Sequence, residues 1–236
     1  MSLQGLKSVL EKEANEEKAG IHSRFFKTGK GEYGEGSIFL GIPVPVLRNI
    51  AKKYQNLSLK DLQILLDDKI HTYRFIAVII LVEEYKKSDR KKKKEIYEFY
   101  LKNSKNINNW DLVDVSAPHI VGEYLYNQSR TIAKKTLQQL AISENLWERR
   151  IAIVSTYHFI RQNRFGETIG VTQILLKDKH DLIHKACGWM LRELGKRDQE
   201  VLESFLDKYV DMMPRTMLRY SIERFEEEKR KYYLNK

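Results

Sequence analysis

The chain is poor in the residues that constrain or interrupt a backbone. Its 236 residues include one cysteine, four prolines and twelve glycines. A single cysteine, Cys187, cannot form an internal disulfide, which is typical of cytosolic proteins. We interpret Cys187 as a small residue of the core. The few prolines and glycines, together with the lack of alternating β-branched runs, favour an all-helical protein.

Long apolar runs are also missing. The mean hydropathy is −0.52, and no run approaches the roughly 18 apolar residues that indicate a membrane-spanning helix. The N-terminal sequence MSLQGLKSVLEKEANEEK contains no apolar signal core. We therefore expect no membrane association and a location in the bacterial cytosol.

Several motifs of cofactor, metal and hydrolase chemistry are absent as well. There is no glycine-rich loop followed by Lys-Ser/Thr, and no GxSxG elbow, so nucleotide hydrolysis and serine hydrolase chemistry are not expected. His180 and His184 have the spacing of two metal ligands on a helix, but no HExxH motif or third ligand accompanies them. We predict no cofactor and no metal site.

Apolar residues recur in a pattern that repeats along the chain. Amphipathic helices are predicted to begin near residues 71, 108, 144, 180 and 214, at intervals of about 34 to 37 residues. Second helices between them are predicted over residues 90–103, 130–142, 167–178 and 199–212. This repetition predicts an α-α superhelix, a solenoid of stacked helix pairs, in a single domain over residues 1–236.

The two ends of the chain fit the repeat less regularly than residues 71–213. Irregular helices are expected over about 1–68: Leu3–Glu17, Ile21–Lys27, one from Pro43 and one from Ser58. A terminal helix is expected over about 214–232. Ser58 with Asp61, and Ser143, are predicted helix caps. The segment TGKGEYGEGS, Thr28–Ser37, is expected to be a mobile surface loop, and Pro118 is expected to kink its helix.

Unusual residues stand near the starts of three equivalent helices. Trp110 is followed one turn later by Asp114, which borders an apolar stripe. Arg150 and Trp189 occupy the two following repeats, and Lys185 lies one turn before Trp189. If equivalent helices line one concave face, these side chains converge there. A carboxylate between indoles, rimmed by Arg and Lys, suits a flat cationic group held against a phosphate backbone.

Each of these residues also has a structural interpretation. A tryptophan at helical spacing is more often part of the core, Arg150 could form a surface salt bridge, and Asp114 could pair with a neighbouring Arg or Lys. The set is harder to dismiss than any one member. The net charge of +10, from 42 Lys+Arg against 32 Asp+Glu, favours a polyanionic partner without proving one. The basic run Lys91–Lys94 falls on a second helix, and we interpret it as a solvated face.

Four motifs together resemble the AlkD family of alkylpurine DNA glycosylases. The likeness covers nearly the whole chain in the right order. The motifs are FLGIPVPVLRNIAK (Phe39–Lys52), WDLVD (Trp110–Asp114), NLWERRIAI (Asn145–Ile153) and HKACGWMLRE (His184–Glu193). The resemblance implies a C-shaped, HEAT-like solenoid whose basic concave face holds duplex DNA.

The resemblance also implies an activity and roles for single residues. It implies a monofunctional enzyme of base excision repair that releases cationic lesions such as 3-methyladenine and 7-methylguanine without flipping them into a pocket. Asp114 would be the catalytic carboxylate, Trp110 and Trp189 would pack against the lesion's deoxyribose, and Arg150 would hold the phosphate backbone. Phe25 stands where the family often has a tyrosine, and the Thr28–Ser37 loop looks expanded.

Other functions remain compatible with the sequence. A non-catalytic module that recognises DNA shape would need the basic face but not Asp114. A protein-binding solenoid would expose an apolar groove, and its positive charge would be incidental. We expect a monomer whose partner is duplex DNA containing alkylated purines.

Overall fold

The computed structural model describes all 236 residues, and they fold almost entirely into helices. Extended structure is limited to an isolated parallel bridge between Ile38 and Ile70. The prediction of an all-α protein is therefore confirmed. The α-helices are α1 (Leu3–Lys12), α2 (Glu16–Phe25), α3 (Val44–Lys53), α4 (Leu59–Leu66), α5 (His71–Lys87), α6 (Arg90–Lys102), α7 (Trp110–Ala117), α8 (Glu123–Tyr126), α9 (Arg130–Ala141), α10 (Leu146–Arg161), α11 (Gly166–Leu175), α12 (Asp181–Gly195), α13 (Gln199–Tyr209), α14 (Arg215–Ser221) and α15 (Glu227–Asn235).

The chain forms two compact units, Met1–Ser116 and Ala117–Lys236. In the N-terminal unit, α3, α4 and α6 pack against α5. Helix α5 is buried without interruption from His71 to Val82, which explains why its sequence is apolar on all sides rather than along one stripe. The assignment of the whole chain to a single domain stays a prediction.

The C-terminal unit has the packing expected of repeated helix pairs. Helices α10, α12 and α14 pack side by side, and α9 and α11 contact each other and α10. Gly188 permits the close approach of α12 to α14, because a Cβ at this position would lie 2.5 Å from Tyr220 Cβ and 2.6 Å from the Met217 carbonyl oxygen. The first helices of successive repeats therefore lie in one layer of this unit, as the periodicity predicts.

The N-terminal helix boundaries differ from the prediction. One helix was expected over Leu3–Glu17, but α1 ends at Lys12 and α2 begins at Glu16. Asn15 causes the break, since its side chain accepts a hydrogen bond from Lys18 N and its own N–H donates to Leu40 O. The helix expected over Ile21–Lys27 is the second half of α2, which ends at Phe25.

Two further local predictions were wrong. Ser143 does not cap α10, because the Asn145 side chain accepts from Trp147 N, whereas the Ser143 hydroxyl bonds Glu148. The terminal helix expected over 214–232 is interrupted between Ser221 and Glu227. The prediction for Ser58 is confirmed, because it forms a capping box with Asp61.

Pro118 changes the type of helix around it. Residues Pro118–Gly122 form a π-helical segment between α7 and α8. A proline lacks the N–H that an α-helix needs and crowds the preceding turn, and a π-type bulge relieves both effects. The structure thus shows a π segment at Pro118, and the expected kink of the helix axis stays a prediction. None of the helices is long and apolar enough to cross a membrane.

Candidate functional site

The first two turns of α7 carry three side chains of the candidate site. Its start is fixed by Asn109, whose Oδ1 accepts a hydrogen bond from Trp110 N at 2.8 Å. Asp111 Oδ1 accepts from Leu112 N at 2.8 Å and lies 3.0 Å from His71 Nε2 of α5. These contacts define the rotation of α7, which places Trp110, Asp111 and Asp114 on one cleft.

A row of aromatic rings supports Trp110 from the N-terminal segment. The indole stacks on Phe26, with ring centroids 5.1 Å apart, and Phe26 stacks on Phe39 at 4.9 Å. Phe39 in turn stacks on His71 at 4.4 Å. Phe25 meets the indole edge-on at 5.8 Å. Such packing fixes the plane of the indole more firmly than apolar burial alone.

These residues enclose a cleft of about 380 Å³ in the N-terminal unit. Apolar and aromatic groups form most of its wall, and two carboxylates, Asp111 and Asp114, interrupt it. Phe25 is 63% exposed, so an apolar ring stands at the solvent boundary. The lining residues are His22, Phe25, Phe26, Phe39, Ile42, Val44, Leu47, His71, Thr72, Phe75, Trp110, Asp111, Asp114 and Val115.

The two carboxylates of the cleft have different neighbours. Both side chains are partly exposed; Asp111 lies 3.0 Å from His71 Nε2, and Asp114 lies on α7 between the buried residues Val113 and Ala117. Burial raises the pKa of Tyr100 well above its usual value. The hydrogen bond between Tyr100 and Ser116 lowers this pKa, and the nearby Asp114 raises it further. Asp114 therefore lies close enough to the buried Tyr100 phenol to affect its pKa, and it also lines the cleft.

His22 adds a titratable group to the cleft wall. Burial lowers its pKa below 6.5, and the nearby His71 lowers it further, while Asp111 opposes the shift. The imidazole of His22 is consequently held neutral at neutral pH. His22 therefore adds no positive charge to the cleft lining.

The Thr28–Ser37 loop contacts the site, which the sequence did not reveal. Tyr33 Oη accepts a hydrogen bond from Trp110 Nε1 at 3.2 Å. At the end of the loop, Arg74 Nη2 donates to Ser37 Oγ at 3.0 Å. Most of the loop is exposed, although Gly34 is buried, and its residues Tyr33 and Ser37 are bonded to α7 and α5. The loop thus lies at the surface as expected, and its mobility stays a prediction. In the sequence, the single tyrosine of this glycine-rich loop is the only sign of a contact with the site.

The C-terminal unit carries Arg150, Lys185 and Trp189. Arg150 is 5% exposed, and its Nη1 donates a 2.6 Å hydrogen bond to Leu182 O in the first turn of α12. Arg150 therefore connects α10 to α12 within this unit. Its proposed contact with a DNA phosphate stays a prediction.

Lys185 and Trp189 lie one turn apart on α12 and are both partly exposed. Lys185 Nζ is 2.7 Å from Asp181 Oδ2, a contact that lowers the pKa of Asp181. The Trp189 ring packs beside Tyr157, with centroids 6.1 Å apart. The structure thus groups Trp110, Asp114 and Phe25 in one unit, and Lys185 and Trp189 on one helix of the other. Convergence of the two groups stays a prediction.

The basic run on α6 is engaged in local contacts. Lys92 pairs with Glu84 and Glu95, Lys94 pairs with Glu98, and Lys93 Nζ lies 4.8 Å from the centroid of the Tyr85 ring. These contacts are consistent with a solvated helix face. No three His, Cys, Asp or Glu side chains come together as metal ligands. Cys187 is buried, and burial raises its thiol pKa.

A comparison with protein families identifies the chain. The model of the DNA alkylation repair enzyme family matches residues 6–225. The chain belongs to this family. A family of DNA alkylation repair enzymes acts on DNA, so DNA is the partner that membership implies. The match includes α2, α5, α7, α10 and α12, the helices that carry the candidate site.

A solved structure has the same fold as this member of the DNA alkylation repair enzyme family. It is a protein of Enterococcus faecalis described as a predicted DNA alkylation repair enzyme. The two structures superpose with a TM-score of 0.67, covering 91% of this chain and 98% of that chain, at 16% sequence identity. This likeness confirms the predicted α-α superhelix. No curated protein sequence gave a significant match.

Proposed function

We propose that this protein is a DNA N-glycosylase that hydrolyses the glycosidic bond of cationic alkylated purines in duplex DNA. The observation that carries the proposal is the position of the Asp114 carboxylate on an aromatic cleft, one turn after Trp110. Membership of the DNA alkylation repair family supports it. The expected substrates are 3-methyladenine and 7-methylguanine, released without flipping the base into a pocket.

The chemistry requires stabilisation of positive charge on the sugar. Alkylation at N3 or N7 makes the purine cationic, so it takes the electron pair of the C1′–N bond and leaves as a neutral base. The sugar becomes an oxocarbenium-like cation, and water adds to C1′ and loses a proton to give an abasic site. A fixed Asp114 carboxylate can stabilise that cation and orient the water.

The remaining site residues have supporting roles in the proposal. Trp110 and Trp189 pack against the deoxyribose of the lesion, and Phe25 extends the apolar wall toward DNA. Lys185 and Arg150 hold the phosphate backbone. Because the exposed Lys185–Asp181 pair is worth only about 0–1 kcal/mol, Lys185 can exchange Asp181 for a phosphate at little cost.

Incubation with alkylated duplex DNA tests the proposed activity. The protein should release free 3-methyladenine and 7-methylguanine and leave abasic sites, with unalkylated duplex as the control substrate. A non-catalytic module that recognises DNA shape would bind both duplexes and release neither base. Tight binding without release would therefore contradict the proposal and support the binding module.

A second experiment tests the DNA-binding role of Lys185. Lys185→Ala should reduce the slope of log K against log salt concentration by about one unit, as expected for one lost phosphate contact. Lys94→Ala is a matched control, because Lys94 also has an acidic partner four residues away on its helix. Lys185 is preferred to Arg150, whose loss would also break a buried contact. Equal slopes for Lys185→Ala and Lys94→Ala would exclude Lys185 from the interface.

A further inference from the structure

We infer that Tyr33 is a positioning residue for Trp110, and that the Thr28–Ser37 loop is part of the lesion-recognition site. This inference rests on the proposed function for its catalytic consequence, while its structural part can be tested separately. The central observation is the 3.2 Å hydrogen bond from Trp110 Nε1 to Tyr33 Oη. The bond joins residues far apart in sequence: Tyr33 lies in the loop, and Trp110 is the first residue of α7.

The indole has one polar group, and Tyr33 determines where it points. The indole N–H is only a donor, and a partly buried tryptophan normally directs it to an acceptor. Stacking on Phe26 fixes the plane of the Trp110 ring. However, an indole that is flipped over lies in the same plane with its N–H on the opposite side, so stacking alone does not distinguish the two orientations. The hydrogen bond to Tyr33 selects one of them.

The loop has its own contacts that hold Tyr33 in place. The Glu32 carboxylate accepts from Gly29 N at 2.8 Å, and the Glu35 carboxylate accepts from Gly31 N at 2.9 Å. Gly34 N donates to Lys27 O at 3.1 Å. A free glycine-rich segment samples many conformations, so these bonds restrict the loop on both sides of Tyr33.

The buried side chain of Arg74 holds the C-terminal end of the loop at Ser37. Arg74 is 5% exposed, and it donates to Ser37 Oγ and to Asp68 O. Burial lowers the pKa of Arg74, while Asp111 and Asp68 oppose that decrease. Since Arg74 belongs to α5, the same helix that supplies His71 to the cleft also anchors the loop. Loop, indole and cleft therefore form one connected structure.

The inference predicts a defect in excision without a defect in DNA binding. Tyr33→Phe keeps the ring but removes the acceptor of the indole N–H. We expect single-turnover release of 7-methylguanine to slow about three- to tenfold, the range for loss of one neutral hydrogen bond. Tyr209→Phe is the matched control: it removes a hydroxyl that accepts a 2.9 Å bond from Gln173 Nε2 on α11, and it should leave release unchanged.

The structural part is tested on the indole itself. The protein has three tryptophans, so each indole N–H gives a separate NMR signal, and Trp110→Phe assigns the relevant one. In Tyr33→Phe the Trp110 N–H proton should shift upfield and exchange faster with water, while the Trp147 and Trp189 signals stay in place. The double variant Glu32→Ala, Glu35→Ala should show part of the slower release and part of the Trp110 signal shift. This loss of rate is expected even though removal of two negative charges favours DNA binding.

The outcomes separate the two hypotheses. If the wild-type protein releases no alkylated base, the proposed function fails, and the NMR result alone decides whether Tyr33 orients Trp110. If the wild type is active and Tyr33→Phe has the release rate of Tyr209→Phe, Tyr33 has no positioning role in catalysis. An unchanged Trp110 signal in Tyr33→Phe would overturn the inference in either case.

Discussion

Asp114→Asn is expected to slow release of 7-methylguanine by roughly two to three decades, with nearly unchanged affinity for duplex DNA. Loss of one preorganised electrostatic group commonly raises a barrier by about 3–4 kcal/mol. Asparagine keeps the shape of the side chain but removes its charge. A group that acts mainly on a cationic transition state should change the chemical step far more than ground-state binding.

Asp111→Asn is the matched control for this prediction. It removes the same charge from the same cleft, but from a carboxylate that is 3.0 Å from His71. We expect it to lower thermal stability and to retain release within about tenfold of wild type per folded molecule, because breaking a partly buried pair acts on the fold. The measurements are single-turnover base release and a melting curve for each variant. Similar losses of rate in both variants would contradict a specific role for Asp114, and wild-type release by Asp114→Asn would refute it.

Gly41→Ala should destabilise the N-terminal unit by about 2–5 kcal/mol. Gly41 has φ +70°, and an alanine Cβ there would lie 2.1 Å from Asn15 O and 2.6 Å from Ala19 N. The left-handed backbone costs about 1–2 kcal/mol for a residue with a Cβ, and overpacking commonly costs about 1–3 kcal/mol. The first turn of α2 would have to move, and with it Phe25 on the cleft wall.

Gly36→Ala separates these two contributions. Gly36 has a similar φ of +75°, but nothing lies within 4 Å of its Cβ position. Its cost should be limited to the backbone term, about 1–2 kcal/mol. Urea unfolding of both variants, with base release per folded molecule, gives the comparison. Equal stability of Gly41→Ala and Gly36→Ala would show that the start of α2 can move away from the added Cβ without loss of stability.

Periodicity predicted the regular part of the fold because packing there follows helix geometry. Apart from α8 and α15, the helices from α5 onward begin close to the predicted positions, and those of the C-terminal unit pack in layers. The errors fall where a single side chain competes with the periodic pattern. Asn15 breaks a helix that propensity would continue, and Asn145 replaces Ser143 as a cap.

The candidate site was only partly predictable for a related reason. Helical spacing placed Trp110 and Asp114 together, since residues four apart share a helix face. It could not place Tyr33 or Arg74, because their contacts join segments that are distant in sequence. The burial of Arg150 was also not predictable, because it depends on a hydrogen bond to the Leu182 carbonyl, which is distant in sequence.

The floor and the outer wall of the cleft differ in how freely their sequences can evolve. The floor comes from α5, which is buried from His71 to Val82, so almost any change there disturbs packing on several sides. Phe25 stands on the outer wall, and the nearby Thr28–Ser37 loop contacts the cleft residue Trp110 through Tyr33. Most side chains of this segment face water, where substitutions usually change stability little. Substitutions can therefore accumulate in this short segment at little cost in stability, while α5 stays under constraint.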